Sequence, residues 1–551
     1  ERAREAGAAT VSDAVARLPY VSARGARGSA VVSLRGGRAE HTVVTLDGLA
    51  LNDPATGIAD LADLPLAAVG AATALPGADA VRAGSGAVGG TVALASADRP
   101  LFALRAGSYG ERLAEGAAAA EALGGRLRVG GSWAEARNDF PFVNRAAATG
   151  GDTLERRVNN DERRAALFAT ASWPALQLLF LATDAERGLV GPMNVRAYDA
   201  DRGRTRRALL RAGAQAGAWT ISLGARALEQ RYDDARTPQS DSRADAAAVD
   251  GEVARALGGV AVRAGGGVDR LGVRSSAPVA PRLRGRAFAS AAREWRAGRW
   301  LASAGVRGDA YERAGARPSW SLGLERAARV TAFARAAQAF RAPTLYDLYL
   351  GAPRRLAARD LRPERVALDA ELGARARVGG ALLEGAAFHR VTRDAIIWFP
   401  GNFDWSPANV GTERVAGAEA RANVEGEHAG VSAWAGWYHA RLHGGGLVIP
   451  TPYAPYAAGG GTATLRRGPV TAAATLRAMG RRPFASAPRS RETELPGVAL
   501  ASLHLGTRAP ALGHSAQLFA GVENLGDVRW ESIERFPSPG RTWSAGLTLT
   551  P

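Results

Sequence analysis

The stretch WTISLGARA, residues 219–227, alternates at every second position between two kinds of side chain. One face is apolar or small, and the other is small, polar or basic: Trp219, Ile221, Leu223, Ala225 and Ala227 against Thr220, Ser222, Gly224 and Arg226. A period of two predicts a β-strand. A face of small polar side chains suits a strand that borders a water-filled lumen, with its apolar face turned to lipid.

The same alternation recurs from Leu101 onward and closes the sequence at residues 542–549, where Trp543 and Leu549 share one face. Glycine-containing pairs predict tight turns, because Gly adopts positive φ without steric cost: Gly124-Gly125, Gly258-Gly259, Ala297-Gly298 and Gly379-Gly380. Long polar stretches lie between these turns: residues 138–160, 184–206, 341–363, 400–413 and 443–461. Short turns at one end and long loops at the other are typical of outer-membrane barrels.

About 450 residues follow residue 98, which is enough for about 22 tilted strands with their turns and loops. We therefore predict an all-β transmembrane fold, a 22-stranded antiparallel barrel. The alternative is a set of Ala-rich amphipathic helices, since Ala and Arg both favour helix. The Gly pairs and the alternating Val, Thr and Trp argue against helices. Aromatic residues near strand ends are predicted to form girdles at the two membrane surfaces: Trp133, Trp173, Trp295, Trp300, Trp434, Trp437 and Tyr438.

Composition excludes several classes of protein. The 551-residue chain has no cysteine, so it has no disulfide framework and no thiolate metal site. No run of about 18 apolar residues offers a membrane-spanning helix. All 70 basic residues are Arg; they are scattered along the chain and leave a net charge of +17, whereas a nucleic-acid site concentrates its charge on one face. We therefore expect no nucleic-acid partner, and assign the charge to anionic lipopolysaccharide or to an anionic ligand in the lumen.

The N-terminal part carries four motifs in a fixed order: SDAVARLPYV at residues 12–21, LRGG at 34–37, VVTLDGLALND at 43–53 and GSGAVGGTV at 84–92. In this order they resemble the plug domain of TonB-dependent outer-membrane receptors. The glycines of the last motif would let the backbone pass close to a barrel wall. A phosphate-binding loop is the alternative for such a motif, but that loop needs a Lys, and the sequence has none.

The remainder of the chain carries matching barrel motifs: FRAPTLYDLY at 340–349, DLRPE at 360–364, WSPANVG at 405–411, VENLGD at 522–527 and PGRTW at 539–543. These also resemble the receptor family and follow its order. Four departures stand beside them. Pro76 occupies a position where the family often has Arg, and Ala83 one where it often has Tyr. No Ton box, the segment that engages TonB, is visible before Ser12; it either lies outside this sequence or is lacking. Pro551 ends the chain where an aromatic residue is usual.

The resemblance implies a plug formed by residues 1–98 inside a barrel formed by residues 99–551. It implies energised uptake of a scarce, bulky nutrient, with cobalamin or a ferric siderophore as the expected ligand. The expected partners are TonB with its inner-membrane complex and the lipid and lipopolysaccharide of the outer membrane. No cofactor, metal site or catalytic activity is expected. Two alternatives remain: a surface adhesin or scaffold that keeps the plug without transport, and a signal-transducing receptor.

Ligand contacts are expected at the apical loops of the plug and in one long barrel loop. The resemblance places the first apical loop at residues 52–57 and the second at 79–82, where polar side chains follow rigid strands. The aromatic residues of the long loop could stack on a flat ligand. Alternatively, Asn52 and Asp53 merely build a turn and the loop aromatics are structural. The predicted ligand-binding residues are Asn52, Asp53, Thr56, Asp79, Arg82, Phe403 and Trp405.

Overall fold

A computed structural model describes residues 2–25, 28–145, 152–194, 200–236, 241–275, 278–350, 360–400, 405–484, 493–511 and 514–550. It confirms the predicted fold: a closed barrel of 22 antiparallel strands surrounds an N-terminal plug of small sheets and helices. In these ranges the α-helices have at most five residues, so the interpretation as Ala-rich helices was wrong. Within the same ranges, no helix has the length and apolar character needed to cross a membrane.

The plug comprises α1 (Arg2–Glu5), α2 (Val11–Val15), β1 (Val21–Arg24), β2 (Val31–Leu34), β3 (Thr42–Leu46), β4 (Leu49–Ala50), β5 (Val69–Pro76), α3 (Ala80–Ala83) and β6 (Gly90–Ser96). Strands β1 and β2 form an antiparallel pair, whereas a four-stranded sheet has the order β4-β3-β6-β5 with β3 parallel to β6. A side chain at Gly90 would collide with the backbone of β5, since its Cβ would lie 2.4 Å from the carbonyl oxygen of Leu75. Glycine is therefore required where β5 and β6 meet.

The barrel and its loops follow in chain order. Their elements are β7 (Leu101–Gly107), β8 (Arg112–Ala122), β9 (Gly125–Ala136), β10 (Pro141–Asn144), β11 (Thr153–Arg156), β12 (Glu162–Ser172), β13 (Leu176–Gly188), β14 (Arg202–Ala216), β15 (Trp219–Asp233), β16 (Ser242–Leu257), β17 (Val260–Arg274), β18 (Val279–Ala297), β19 (Trp300–Tyr311), β20 (Gly315–Arg326), β21 (Val330–Arg341), α4 (Leu345–Tyr349), β22 (Glu364–Val378), β23 (Ala381–Arg393), β24 (Ile396–Pro400), β25 (Trp405–Asn409), β26 (Thr412–Glu425), β27 (Ala429–Gly444), β28 (Leu447–Pro450), β29 (Ala457–Arg467), β30 (Val470–Met479), β31 (Arg482–Pro483), β32 (Glu494–Leu495), β33 (Val498–Ala511), β34 (His514–Glu523), β35 (Glu531–Ile533), β36 (Phe536–Pro537) and β37 (Thr542–Thr550).

Alternation along the strands separates lipid-facing from lumen-facing residues, as the sequence predicted. Trp219 and Leu223 of β15 are exposed on the outer surface, whereas Arg226 donates to the carbonyl of Ala50 in the plug. Tight turns lie at one end of the barrel, at Gly258-Gly259 and Gly379-Gly380 among others, and the long connections lie at the other end. Two predicted turns are shifted by one residue, because the turn residues are Leu123-Gly124 and Gly298-Arg299.

The predicted aromatic girdle needs a correction at two positions. Trp437 is 57% exposed on the outer surface, as expected of a girdle residue. Its neighbour Tyr438 is 2% exposed and faces the lumen, and Trp434 also faces inward, where its ring meets that of Tyr20 in the plug at 5.6 Å. Adjacent residues of a strand point to opposite faces, so Trp437 and Tyr438 cannot both reach lipid.

Apolar packing places the plug in the lumen. Val44 and Val92 of its four-stranded sheet belong to one buried cluster with Phe168, Leu181 and Leu209 of the barrel wall. The predicted division between residues 98 and 99 falls in the connection from β6 to β7; the boundary itself stays a prediction.

Closure of the barrel predicts heat-modifiable migration on a gel. Strand β37 pairs with β7, so the ring of strands has no free edge and resists detergent. We expect unboiled, detergent-extracted protein to migrate faster than boiled protein. A truncation that removes residues 542–550 opens the ring and should abolish the difference. Equal migration of the boiled and unboiled full chain would contradict a closed barrel.

Candidate functional site

A buried ion cluster fixes the plug to one wall of the barrel. Arg35 follows β2 and is 2% exposed; its Nη1 donates to Glu371 of β22, and its Nε donates to Glu419 of β26, both at 2.8 Å. The hydroxyl of Tyr438 also donates to Glu419, at 3.1 Å. Both acids are therefore paired across the interface, although desolvation makes a buried pair sensitive to the loss of either partner.

A second buried cluster lies further along the same plug segment. The Nε2 of His41 lies 2.8 Å from Glu364 of β22, and Arg341 donates to the same carboxylate at 2.7 Å. Arg38 pairs with Glu364 and also donates to the carbonyl of Ile396 at 2.7 Å. Burial lowers the pKa of the His41 imidazole, and Arg38 lowers it further, whereas Glu364 acts in the opposite direction. The segment between β2 and β3 is thus held by two sets of charges.

The turn that follows Pro76, the last residue of β5, lies beside the first cluster. The neighbouring Gly77 places its Cβ position 3.5 Å from the Nη1 of Arg35. A barrel arginine is buried nearby: Arg390 of β23 donates to the carbonyl of Val88 at 3.3 Å and interacts electrostatically with Asp369. Asp369 also accepts the N–H of Ala78 at 2.8 Å. Asp369 and Arg390 of the barrel thus bind the plug on the two sides of α3.

An apical cavity of about 150 Å³ lies between the plug and the barrel wall at the long-loop end. The plug contributes residues of its 52–57 loop and of the 83–86 segment. The wall contributes five arginines from strands β15, β18, β19 and β21: Arg226, Arg284, Arg286, Arg307 and Arg341. Among the described residues, three acidic side chains line the same space: Glu40, Asp53 and Asp269. The lining is therefore basic.

Most of these guanidinium groups are held by carboxylates. Arg284 donates to Asp269 at 2.8 Å, and Arg307 makes two 2.8 Å bonds to Asp309 while it stacks on the ring of Phe288. Arg226 differs from them. Its nearest carboxylate lies 3.6 Å away, and its buried Nε, like that of Arg284, has no partner among the described residues. Arg226 is the arginine that is best placed to accept an additional anion.

The structure brings Asn52 and Asp53 to this cavity, with their polar atoms engaged in the loop. Asn52 accepts the N–H of Val44 at 2.9 Å and donates to two plug carbonyls. Asp53 accepts the N–H of Ala55 and the hydroxyl of Thr56 at 2.8 and 3.0 Å. Burial raises the pKa of Asp53, although these two hydrogen bonds act in the opposite direction. Ligand contact by all three residues stays a prediction.

The other predicted residues lie apart from the cavity lining. Asp79 occupies the N-cap position of α3 without a side-chain hydrogen bond to the helix; burial raises its pKa, and Arg82 of the same helix is exposed. Phe403 lies outside the described residues, and of Trp405 only the backbone at the start of β25 is described. Sequence reasoning missed the arginine wall. Alternation placed Arg226 on the lumen face, but the grouping of five arginines depends on strand register.

A second cavity, of about 330 Å³, lies across the plug from the first. It is bordered by the end of β1, by α2 and by the long connections after β9 and β34. Four arginines and three acidic residues line it together with aromatic rings: Arg24, Arg157, Arg187, Arg477, Asp13, Asp161, Glu162, Phe140, Trp530 and Phe536. Its charge is therefore more nearly balanced than that of the apical cavity.

Comparison with known families agrees with the motifs. The sequence profile of the TonB dependent receptor-like β-barrel matches residues 118–525, and that of the TonB-dependent receptor plug domain matches residues 1–91. The chain belongs to the TonB-dependent receptors. It is a non-enzymatic transport receptor of the outer membrane, and its family implies TonB as a partner. No curated protein matches the chain in sequence.

Solved receptors share the fold over nearly the whole chain. The siderophore receptor PirA from Acinetobacter baumannii aligns with a TM-score of 0.80 at 15% identity, covering 98% of this receptor and 96% of PirA. The ferric enterobactin receptor from Pseudomonas aeruginosa gives 0.77 at 16% identity, covering 98% and 96%. The copper transporter OprC gives 0.79 at 17% identity, covering 99% and 97%. At these identities the likeness concerns the fold.

Proposed function

We propose that this TonB-dependent receptor imports an anionic metal chelate of the ferric-siderophore type, with cobalamin as the second candidate. The basic wall of the apical cavity carries this proposal. Ferric complexes of catecholates and carboxylates bear negative charge, and guanidinium groups bind such oxygens through charge-assisted hydrogen bonds. Cobalamin carries neutral amides and a single phosphate, so five arginines would contribute less to its binding energy. The cavity is smaller than the roughly 300–1,000 Å³ of sites that enclose a whole ligand, so it would take one arm of a chelate.

Two further observations support this choice. Structural neighbours include receptors described as binding siderophores and ferric enterobactin, and also a copper transporter. Copper sites favour thiolate, thioether and imidazole ligands. This sequence has no Cys and two Met, and in its described parts no three His, Asp or Glu side chains are grouped to hold a metal ion. A metal that arrives already chelated fits these residues better than a bare ion.

The N-terminal helix offers TonB a starting point for opening the path. It lies at the short-turn end of the barrel, where Glu5 pairs with Arg508 and Arg2 pairs with Glu425, each at 2.6 Å. The short-turn end faces the periplasm in receptors of this type. A pull on the N-terminal end would act on these two pairs first, before it reached the buried clusters around Arg35 and His41.

A binding titration tests the proposed ligand class. We expect the purified receptor to bind a ferric tris-catecholate more tightly than an uncharged ferric tris-hydroxamate or cyanocobalamin. Arg226→Gln should weaken binding of the catecholate by about 1–3 kcal/mol, the usual cost of losing a desolvated polar contact. Asp53→Ala and Arg82→Ala test the contacts predicted for the apical loops: if both residues contact the ligand, each variant should lose binding in the same range. Arg477→Gln, in the second cavity, is the matched control and should bind like the wild type.

The outcomes separate the two cavities and the two ligand classes. Loss of binding in Arg477→Gln but not in Arg226→Gln would move the site to the second cavity. Tighter binding of cyanocobalamin than of any ferric chelate would contradict the proposed class.

A further inference from the structure

Four arginines face outward on adjacent barrel strands, near the long-loop end. Arg365 of β22 stands directly opposite Arg393 of β23, and Arg414 of β26 stands directly opposite Arg441 of β27. The residues beside them in sequence point inward: Glu364, Thr392 and Glu413 have no exposed surface, and Ala440 is buried. Because neighbours alternate between the faces of a strand, the four arginines lie on the lipid-facing surface. We call these four residues the basic patch.

The basic patch has no carboxylate of its own. None of its arginines forms an ion pair with any residue that the structure describes; Arg441 bonds to the carbonyl of Ala440 and lies over the ring of Tyr456. Asp394, which follows Arg393 in the sequence, pairs with Arg362 at 2.7 Å, whereas Glu364 and Glu413, which precede Arg365 and Arg414, point into the barrel. Like charges directly opposite each other destabilise a pair of strands. An anion from outside the chain would therefore stabilise these two arginine pairs by neutralising their charge.

The opposite side of the barrel shows a different arrangement. There, outward arginines at the same end of strands β14 and β16 have carboxylate partners. Arg204 and Arg206 pair with Asp184, and Arg243 pairs with Glu229 at 2.8 Å and with Asp245 at 3.1 Å. The lack of partners is thus a property of the basic patch, and it does not follow from the arginine content of the chain.

The height of the basic patch matches the lipid headgroup region. On β27 the patch residue Arg441 lies four residues beyond Trp437, which is about 13 Å along the tilted strand. Exposed Trp side chains mark the boundary between the apolar core of a membrane and its headgroups. Below Trp437 the outer surface of these strands is apolar, with Leu372 exposed. The long-loop end of an outer-membrane receptor faces outward, so the basic patch stands in the outer leaflet.

We propose that the basic patch is a docking surface for the phosphate groups of a phosphorylated glycolipid of the outer leaflet. A planar guanidinium group binds two phosphate oxygens at once, and four of them in two rows can hold more than one phosphate. The bound lipid neutralises the opposed arginines and orients the receptor in the leaflet. This surface is separate from the apical cavity, so the inference does not depend on the identity of the transported ligand.

Binding of purified receptor in a neutral detergent to lipid A tests the proposal. The test variant carries Arg365→Gln, Arg393→Gln and Arg414→Gln; the control variant carries Arg204→Gln, Arg206→Gln and Arg243→Gln. Each arginine near an anionic membrane surface contributes about a fivefold change in affinity, so we expect about a hundredfold loss in the test variant. The control variant should change by less than about threefold, because its arginines already have partners. Dephosphorylated lipid A should bind all three proteins equally weakly.

Folding is monitored by the melting temperature in the same detergent without lipid. The test variant should melt no lower than the wild type, because it loses the repulsion between opposed arginines. Addition of lipid A should then stabilise only the wild type and the control. Equal affinity of test variant and wild type for lipid A would overturn the proposal. So would displacement of the lipid by millimolar inorganic phosphate, which would indicate a site for free anions.

Discussion

Replacement of Arg35 by methionine should release the plug from one wall of the barrel. The substitution leaves Glu371 and Glu419 buried without their partner, and breaking a buried pair in this way costs about 3–5 kcal/mol. That is a large part of the stability of a small domain. We expect transient opening of the lumen, measured as ion conductance across a planar bilayer, whereas the wild-type receptor stays closed. Hydrogen exchange of the plug amides should rise in parallel.

A triple variant provides the control for this experiment. Arg35→Met combined with Glu371→Gln and Glu419→Gln removes all three charges and keeps the volume of the side chains. Since the cost lies in the unpaired carboxylates, the triple variant should recover most of the closed state. Equal conductance in the single and triple variants would show that the charges do not hold the plug.

A disulfide between plug and barrel should stop transport without preventing binding. The Cβ position of Gly36 lies 3.8 Å from the Cβ of Ala454 in the loop before β29, which is the usual separation across a disulfide. The sequence contains no cysteine, so Gly36→Cys with Ala454→Cys forms a single defined bridge. Gly36 has a positive φ of 63°, so the cysteine costs about 1–2 kcal/mol of local strain. We expect uptake of a ferric chelate to fall to background in oxidised cells and to return with reductant.

The single cysteine variants control for that strain and should transport in both conditions. Ligand affinity of the oxidised protein is measured separately and should stay within a few-fold of the wild type. Full uptake by the cross-linked receptor would mean that the plug opens a path without leaving this wall.

Much of the architecture follows from local patterns in the sequence. Alternation along residues 219–227 predicted a strand with Trp219 outward and Arg226 inward, and both faces are confirmed. The motif at residues 34–37 predicted a plug. These predictions succeed because a strand's two faces repeat every second residue. Where the same rule was not applied, at Trp437 and Tyr438, the prediction of a girdle failed.

Contacts between distant residues could not be predicted in this way. Arg35 meets Glu371 and Glu419, which lie 336 and 384 positions further along the chain. Their meeting depends on the closure of the barrel and on the register of every strand between them. The apical arginines depend on register as well. Polar character did place Asn52 and Asp53 at the cavity, but it could not show that their hydrogen bonds are used within the loop.

The two sheets of the plug differ in how they resist a mechanical load. A pull from the N-terminal end reaches β1 where Val21 pairs with Leu34, so the four residue pairs of β1 and β2 separate one after another, as a zipper opens. The load on β3 enters at Thr42, whereas β6 leads into the barrel wall from its far end at Ser96. Because these strands are parallel, their five residue pairs are loaded together in shear. The pair β1-β2 should therefore open at a low force. The sheet that contains β3 and β6, which is joined to the barrel wall, should resist a higher force.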